Sequence, residues 1–320
     1  MTKRRIALIV LALAAVALSL LNASWLASPS GQLTVVANRG HTHPVRPGAT
    51  GPCAAAQIVP PESRFVENTI QALQQALSFG AEAVAVDLRR TADGRMVAFR
   101  DETLDCRTNG SGRVADRTLA ELKRLDVGYR YTPDRGATYP LRGWGVGGMP
   151  SVEDMLHALR YAPIIFVFRG SDPADADALA AEFARVGMPI DRRFGFIGPE
   201  PVLARIRALA PRAWTFSLAA SERCLTEYRR SGWLGIVPES CRDKAVALTP
   251  GANWTVWGWP YRFLARLGGV GGRAMIVDGF DGEGLPRGLS GREQLEEVPH
   301  GFRGYLWIED MAVTGRSLGR

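Results

Sequence analysis

The sequence predicts a TIM (β/α)8 barrel set behind an N-terminal apolar segment. Three observations carry this. From Leu33 onward, short apolar runs alternate steadily with helical patterns, about eight units in some 290 residues. No Gly-rich phosphate loop follows the first apolar run, which argues against a doubly wound open sheet. No linker splits the chain, because the Gly-rich stretches Gly143–Gly148 and Gly268–Gly272 read as loops inside one domain.

The elements follow in order. Lys3, Arg4 and Arg5 precede the uncharged run Ile6–Leu21, a basic region followed by an apolar one. Residues 1–27 are therefore expected to be a cleaved signal peptide or an uncleaved membrane anchor, and residues 28–320 the barrel domain, placed outside the cytoplasm. Leu33–Ala37 is expected as the first strand. Asn68 is expected to cap a helix over Thr69–Phe79 that Gly80 stops. Ala83–Leu88 and Met96–Phe99 read as strands on either side of the Thr91–Gly94 turn, and Leu119–Leu125 as a short helix. Ser151-Val-Glu-Asp154 has capping-box form, Ile164–Phe168 is a continuous buried strand, and Gly187 ends a helix over Asp177–Val186. Later strands are expected at Arg193–Ile197, Trp214–Leu218, Gly235–Val237, Trp254–Trp257, Met275–Val277 and Tyr305–Ile308.

With 46% hydrophobic and 22% charged residues, the chain is globular rather than disordered, collagenous or coiled-coil. The net charge of +7 comes from 39 Lys and Arg against 32 Asp and Glu, and falls to +4 without residues 1–27. Lys occurs only at Lys3, Lys123 and Lys244, and no nucleic-acid-binding module is present, so nucleic acid is excluded as a partner. The cysteines Cys53, Cys106, Cys224 and Cys241 form no CxxC pair and agree with an oxidising compartment. Of three connectivities, Cys53–Cys106 with Cys224–Cys241 is favoured, because the second pair closes a short loop and the first ties a long loop to a strand end.

A barrel gathers its chemistry at the C-terminal ends of its strands. Asn38 and Arg39, Asp87, Arg100 and Asp101, Arg169, Asp278, and Glu309 with Asp310 fall at such ends. Asn38-Arg39-Gly40, Glu67-Asn68-Thr69, Asp87, Thr91-x-Asp93-Gly94 and Phe99-Arg100-Asp101 stand in the order HRG, ENT, E-x-D, T-x-DG and HD. That ordered set resembles the glycerophosphodiester phosphodiesterases. The likeness continues through Leu104–Thr108, Leu119–Asp126, Met149–Ser151, Trp257–Pro260 and Gly304–Trp307, and resembles an extracytoplasmic bacterial branch with paired cysteines.

The resemblance implies a (β/α)8 barrel, a Ca²⁺ or Mg²⁺ held by carboxylates, two histidines as acid and base, and an arginine on the phosphate. By this likeness Glu67 and Asp87 are the metal ligands, and Arg39 and Arg169 bind a glycerophosphodiester or phosphate-type anion. The catalytic positions depart from the pattern. Asn38 and Arg100 stand where the histidines are expected, Ala85 at the first carboxylate of E-x-D, and Val167 at a later acidic position. Asn38 does not titrate near neutral pH and Arg100 stays charged, so neither shuttles a proton as histidine does. Ca²⁺ takes six to eight oxygens, so two charged donors predict weak or absent binding. Arg100 is expected to pair with Glu67 or Asp87 and supply the missing positive charge. His41 and His43 lie just beyond Asn38 and are candidates for a displaced acid/base pair, against the plainer reading of ordinary loop histidines. Two functions remain: a phosphodiesterase with weakened hydrolysis, or a silent barrel that binds a phosphodiester, phosphate or protein partner, attached to the membrane if residues 6–27 are retained.

Overall fold

The structure is a computed structural model that describes residues 3–28, 31–46, 53–251 and 255–317. Its strands are β1 (Leu33–Asn38), β2 (Ala83–Arg90), β3 (Met96–Ala98), β4 (Ile164–Phe168), β5 (Phe194–Ile197) and β6 (Trp214–Phe216). They continue with β7 (Ala245–Leu248), β8 (Arg273–Ile276), β9 (Gly279–Phe280), β10 (Pro286–Arg287) and β11 (Gly304–Ile308). Two compact units divide the chain. One comprises Met1–Thr34, Leu218–Gly279 and Glu293–Leu306; the other comprises Val35–Ser217, Phe280–Arg292 and Trp307–Arg320.

The larger unit carries parallel strands in the order β6-β5-β4-β2-β1, with β3 folded back antiparallel on β2. Register is set by pairs such as Asn38 with Ala85, Asp87 with Val167, and Ile165 with Gly195. These strands read as near-continuous apolar runs because parallel sheets are covered on both faces; every residue of β4 is buried. Phe166 of β4 meets Phe183 edge-on at 5.9 Å and stacks on Phe194 and Phe196, while Phe183 meets Phe194 at 4.8 Å. A second apolar cluster, which includes Val66, Phe99, Leu104, Val127, Tyr131 and Leu141, holds the long connections around 53–67 and 99–149. The Cys53–Cys106 disulfide packs on its edge. The carboxylate of Asp126 accepts from the N–H groups of Gly128, Gly143 and Gly145, so this residue of the Leu119–Asp126 motif pins a loop.

Helix ends follow local chemistry. Thr69 caps Ile70–Ser78 by accepting from Ala72 N, so the cap lies one residue beyond the expected Asn68. The capping box at Ser151 and Asp154 is formed, and Gly187 closes Ala174–Val186 at φ +67°.

The smaller unit holds parallel strands β7, β8 and β11 and the Cys224–Cys241 disulfide. Both bridges match the favoured connectivity. Two expected strands are corrected here. Gly235–Val237 is not a strand, because Gly235 at φ +79° ends a 3-10 turn and Pro238 follows three residues later. Residues 255–257 of the Trp254–Trp257 run are also not strand; Trp254 itself lies outside the described residues. The strand of this region is β7, whose four residues are all buried. Leu218, expected as a strand end, begins the helix Leu218–Ser231.

Candidate functional site

The backbone delivers charged groups to one end of the larger unit. Arg39 follows β1 at φ +59°, with its N–H on Ala85 O and its carbonyl accepting from Asn68 N. Gly40 must be glycine, because a Cβ there would lie 2.6 Å from the Ala72 backbone. Asp87 projects from β2, Arg169 follows β4 with its N–H on Leu88 O, and Glu309 follows β11. Arg89 crosslinks two of these loop starts: its guanidinium donates to Arg100 O at 3.1 and 3.2 Å and to Arg169 O at 3.1 Å.

Glu67 and Asp87 are each met by guanidinium. Glu67 accepts from Arg107 Nη1 and from the Tyr131 hydroxyl at 2.9 Å, and lies 3.0 Å from Arg39 Nε. Asp87 accepts from Arg169 Nε at 2.7 Å and from Asn68 Nδ2 at 3.2 Å. Arg169 also reaches Asp281 and Glu283, Arg107 donates to Asp101 at 2.7 Å, and Arg39 pairs with Glu309. Glu309 also accepts from Asn38 Nδ2 at 2.9 Å and Gly288 N at 2.8 Å. The electrostatics follow. Burial opposes the ionised form of Glu67, but Arg107, Arg39 and Arg100 outweigh it and hold the carboxyl well below its usual range. Asp87 is held low in the same way: burial raises it, and Arg169, Arg39 and Arg100 outweigh that. One group is left incompletely matched. The buried Arg39 Nε–H lacks an aligned acceptor despite its proximity to Glu67.

Beside this lattice lies a cleft of about 1110 Å³. Its walls carry five arginines (Arg100, Arg107, Arg130, Arg135, Arg169) and five carboxylates (Asp101, Glu102, Asp105, Asp281, Glu283), with Cys53 and Cys106 on one side. Arg100 lines it with a partly exposed side chain whose ion pair, to Asp281, is long at 3.8 Å. Its pKa is lowered, first by burial and then by Arg39, against the pull of Glu67, and it remains a cation.

The candidates sort as follows. Asn38, Arg39, Glu67, Asp87, Arg100 and Arg169 are brought to one end of the unit. The expected pairing of Arg100 with Glu67 or Asp87 is corrected: its contact is Asp281, and Arg107 and Arg169 make those bonds instead. Asp101, Arg107, Tyr131, Asp281, Glu283 and Glu309 complete the lattice. Arg107 stood inside the quoted Leu104–Thr108 motif, and Glu309 at a strand end, so both carried a signal; Asp281 and Glu283 carried none.

His41 and His43 do not line the cleft. His41 is buried, 2.8 Å from Ser63 Oγ through Nε2 and 3.5 Å from Asp310 through Nδ1. His43 lies edge-on to His41, with Nε2 2.9 Å from Phe65 O. Burial, then His41, pushes its pKa down to about 4 against the pull of Phe65 O and Glu67.

The residues present do not fit a Ca²⁺ or Mg²⁺ site. Among the described residues no three His, Cys, Asp or Glu side chains converge to hold a metal, and Glu67 and Asp87 direct their oxygens at guanidinium N–H groups. A divalent cation would have to displace Arg107 and Arg169 from bonds in which they are well matched.

Comparison with known proteins agrees with this architecture. Residues 55–164 match the glycerophosphoryl diester phosphodiesterase family. A glycerophosphodiester phosphodiesterase of Caldanaerobacter subterraneus is 46% identical over 65 residues, covering 20% of this chain and 27% of that protein. One from Bacillus altitudinis is 40% identical over 81 residues, covering 25% and 33%. The matched stretch thus spans a third or less of these relatives' own length. Among solved structures, a glycerophosphoryl diester phosphodiesterase domain from Mycobacterium tuberculosis superposes with a TM-score of 0.62 at 16% identity, covering 90% of this chain and 99% of that one. A glycerophosphodiester phosphodiesterase from Agrobacterium tumefaciens gives 0.58 at 21% identity, covering 89% and 100%. A phosphodiesterase from Oleispira antarctica, solved with sn-glycerol-3-phosphate, gives 0.57 at 16% identity, covering 90% and 97%. The ordered motifs, the matched stretch and the superposition point the same way: residues 55–164 are similar to the glycerophosphoryl diester phosphodiesterase family, and the chain shares the (β/α)8 barrel fold of these solved structures.

Proposed function

We propose that the chain binds a glycerophosphodiester or phosphate-type anion in the cleft beside Arg100, and that guanidinium groups do there what a divalent cation does in the family pattern. One observation carries this reading: both carboxylates that the resemblance assigns to a metal are already neutralised by arginine, Glu67 by Arg107 and Asp87 by Arg169. Arg100 offers a planar fork of donors suited to two phosphate oxygens. The unmatched Nε–H of Arg39 is a further donor once Glu67 shifts. Asn38, bonded to Glu309, orients that carboxylate but cannot exchange a proton near neutral pH. Binding persists in this reading, while two-histidine, metal-dependent hydrolysis is lost or much weakened. The family's activity is thereby separated from its fold.

The two disulfides and the apolar helix Lys3–Asn22 are compatible with work outside the cytoplasm behind a signal or anchor segment. Calorimetric titration of the full chain with sn-glycerol-3-phosphate and a glycerophosphodiester, beside a hydrolysis assay with and without Ca²⁺ or Mg²⁺, tests the reading. Binding without metal-stimulated turnover is expected. Metal-dependent hydrolysis at ordinary enzyme rates, or no binding at all, overturns it. The double variant Asn38→His, Arg100→His asks whether the histidines alone restore turnover; the lattice around Glu67 and Asp87 predicts that they do not.

A further inference from the structure

The smaller unit has an apolar, arginine-bordered face where its N-terminal helix joins it. The helix Lys3–Asn22 has no buried residue and is uncharged from Ile6 to its end. At 1.5 Å per residue its 20 residues reach about 30 Å, the thickness of a bilayer's hydrocarbon core. Its C-terminal end is not loose. Arg266 donates to Leu21 O at 2.9 Å, to Asn22 Oδ1 at 3.1 Å and to Gly232 O at 3.0 Å. Asn22 Nδ2 donates to Trp233 O at 2.8 Å, and the Tyr261 N–H to Ser24 Oγ at 2.9 Å. A guanidinium on the last carbonyls of a helix satisfies groups that otherwise lack partners and suits the negative end of the helix dipole. Cleavage near Ala23–Ala27 would discard the acceptors that Arg266 is positioned to use and the donor that Trp233 O accepts from.

The surface beside this junction is unusual for one facing water. Trp25 is 75% exposed, and Trp233, Leu234, Ile236 and Trp257 are also exposed. The indoles of Trp233 and Trp257 donate to Arg230 O at 3.0 Å and Arg229 O at 2.9 Å. Their polar atoms are therefore satisfied by backbone, and the rings present apolar surface next to the exposed arginines 229 and 230. Large aromatics with nearby arginines at the end of an apolar helix are the chemistry of a membrane–water boundary with anionic headgroups. The Cys224–Cys241 bridge fixes the segment that carries Trp233 and Ile236.

We infer that the N-terminal helix is retained as a membrane anchor and that Trp25, Trp233, Ile236 and Trp257, with Arg229 and Arg230, seat the smaller unit on an anionic lipid surface. The test uses the full chain with a C-terminal tag. Bacterial membranes washed with alkaline carbonate should keep the protein, and its intact mass should include residues 1–27; a mature form lacking them overturns the proposal. The purified chain is then placed in phosphatidylcholine vesicles with and without phosphatidylglycerol, and tryptophan quenching by brominated lipid is read. The variant Trp233→Ser, Trp257→Ser should lose about half of the quenching, since these rings sit at the boundary. The variant Arg229→Glu, Arg230→Glu, which alters only exposed side chains, should lose quenching in vesicles with phosphatidylglycerol and not in those without. Unchanged quenching in the arginine variant with phosphatidylglycerol present overturns the seat.

Discussion

The larger unit contains two dense regions held together by opposite means. Around Phe166, Phe183, Phe194 and Phe196 the contacts are rings on rings with no polar atom to satisfy. At the strand ends and the loops beside them, Glu67, Asp87, Asp281 and Glu309 are packed among Arg39, Arg107 and Arg169, buried or nearly so. Apolar packing is non-directional, so a change of shape loses area and some contacts. A desolvated charge lattice is directional and balanced, so removing one member leaves its partner charged, buried and unmatched. The aromatic region should therefore tolerate a same-class substitution that the lattice does not.

The sharpest break of this comparison is Asp87→Asn, which keeps shape and removes the charge opposite Arg169. A loss of about 3–5 kcal/mol in urea unfolding is expected, and a loss below 1 kcal/mol would place the lattice among weak surface pairs. Next in size is the acid response of His43. Its folded pKa of about 4 lies below the ordinary 6.5, so the unfolded chain binds the proton first as pH falls. The stability of the neutral form is whole above pH 6.5 and declines towards pH 4, by about 3 kcal/mol in all. His43→Gln should flatten that slope, read as urea midpoints at pH 7, 5.5 and 4.5. Glu67 and Asp87 have depressed folded values, so their contribution is present above about pH 4 and is lost below it. Arg100→Ala should leave the unfolding midpoint nearly unchanged, because its ion pair is long, yet weaken sn-glycerol-3-phosphate binding about 10- to 100-fold. The smallest effect is expected from Phe166→Leu, at about 1 kcal/mol. If it exceeds Asp87→Asn, the comparison is reversed.

Much of this was legible in the sequence wherever a local rule acts alone. The buried run of β4, the capping box at Ser151 and the turn at Gly187 each follow from neighbours a few residues apart. The Trp254–Trp257 run reads as a strand in the sequence, yet the strand of this region is the plain Ala245–Leu248 segment. At the site, strand-end residues such as Asn38, Arg39, Asp87 and Glu309 could be placed because a barrel fixes where they emerge. What no local pattern gives is pairing across long separations. Arg169 meets Asp281 and Glu283 more than a hundred residues later in the chain. A separation of 40 residues likewise hid the assignment of Arg107, rather than Arg100, to Glu67.

The disulfides have a consequence for how the molecule is made. Each cysteine is bonded to the next one along the chain, Cys53 to Cys106 and Cys224 to Cys241. In a polypeptide that emerges N-terminus first into an oxidising space, each bridge can close as soon as its second thiol appears, and no bond has to be reshuffled when later cysteines arrive. By chain-entropy arithmetic the two closures restrict the unfolded chain by about 4 and 3 kcal/mol. In such a space the Cys53–Cys106 bridge, at the wall of the cleft beside Arg107, can close before Cys224 and Cys241 emerge.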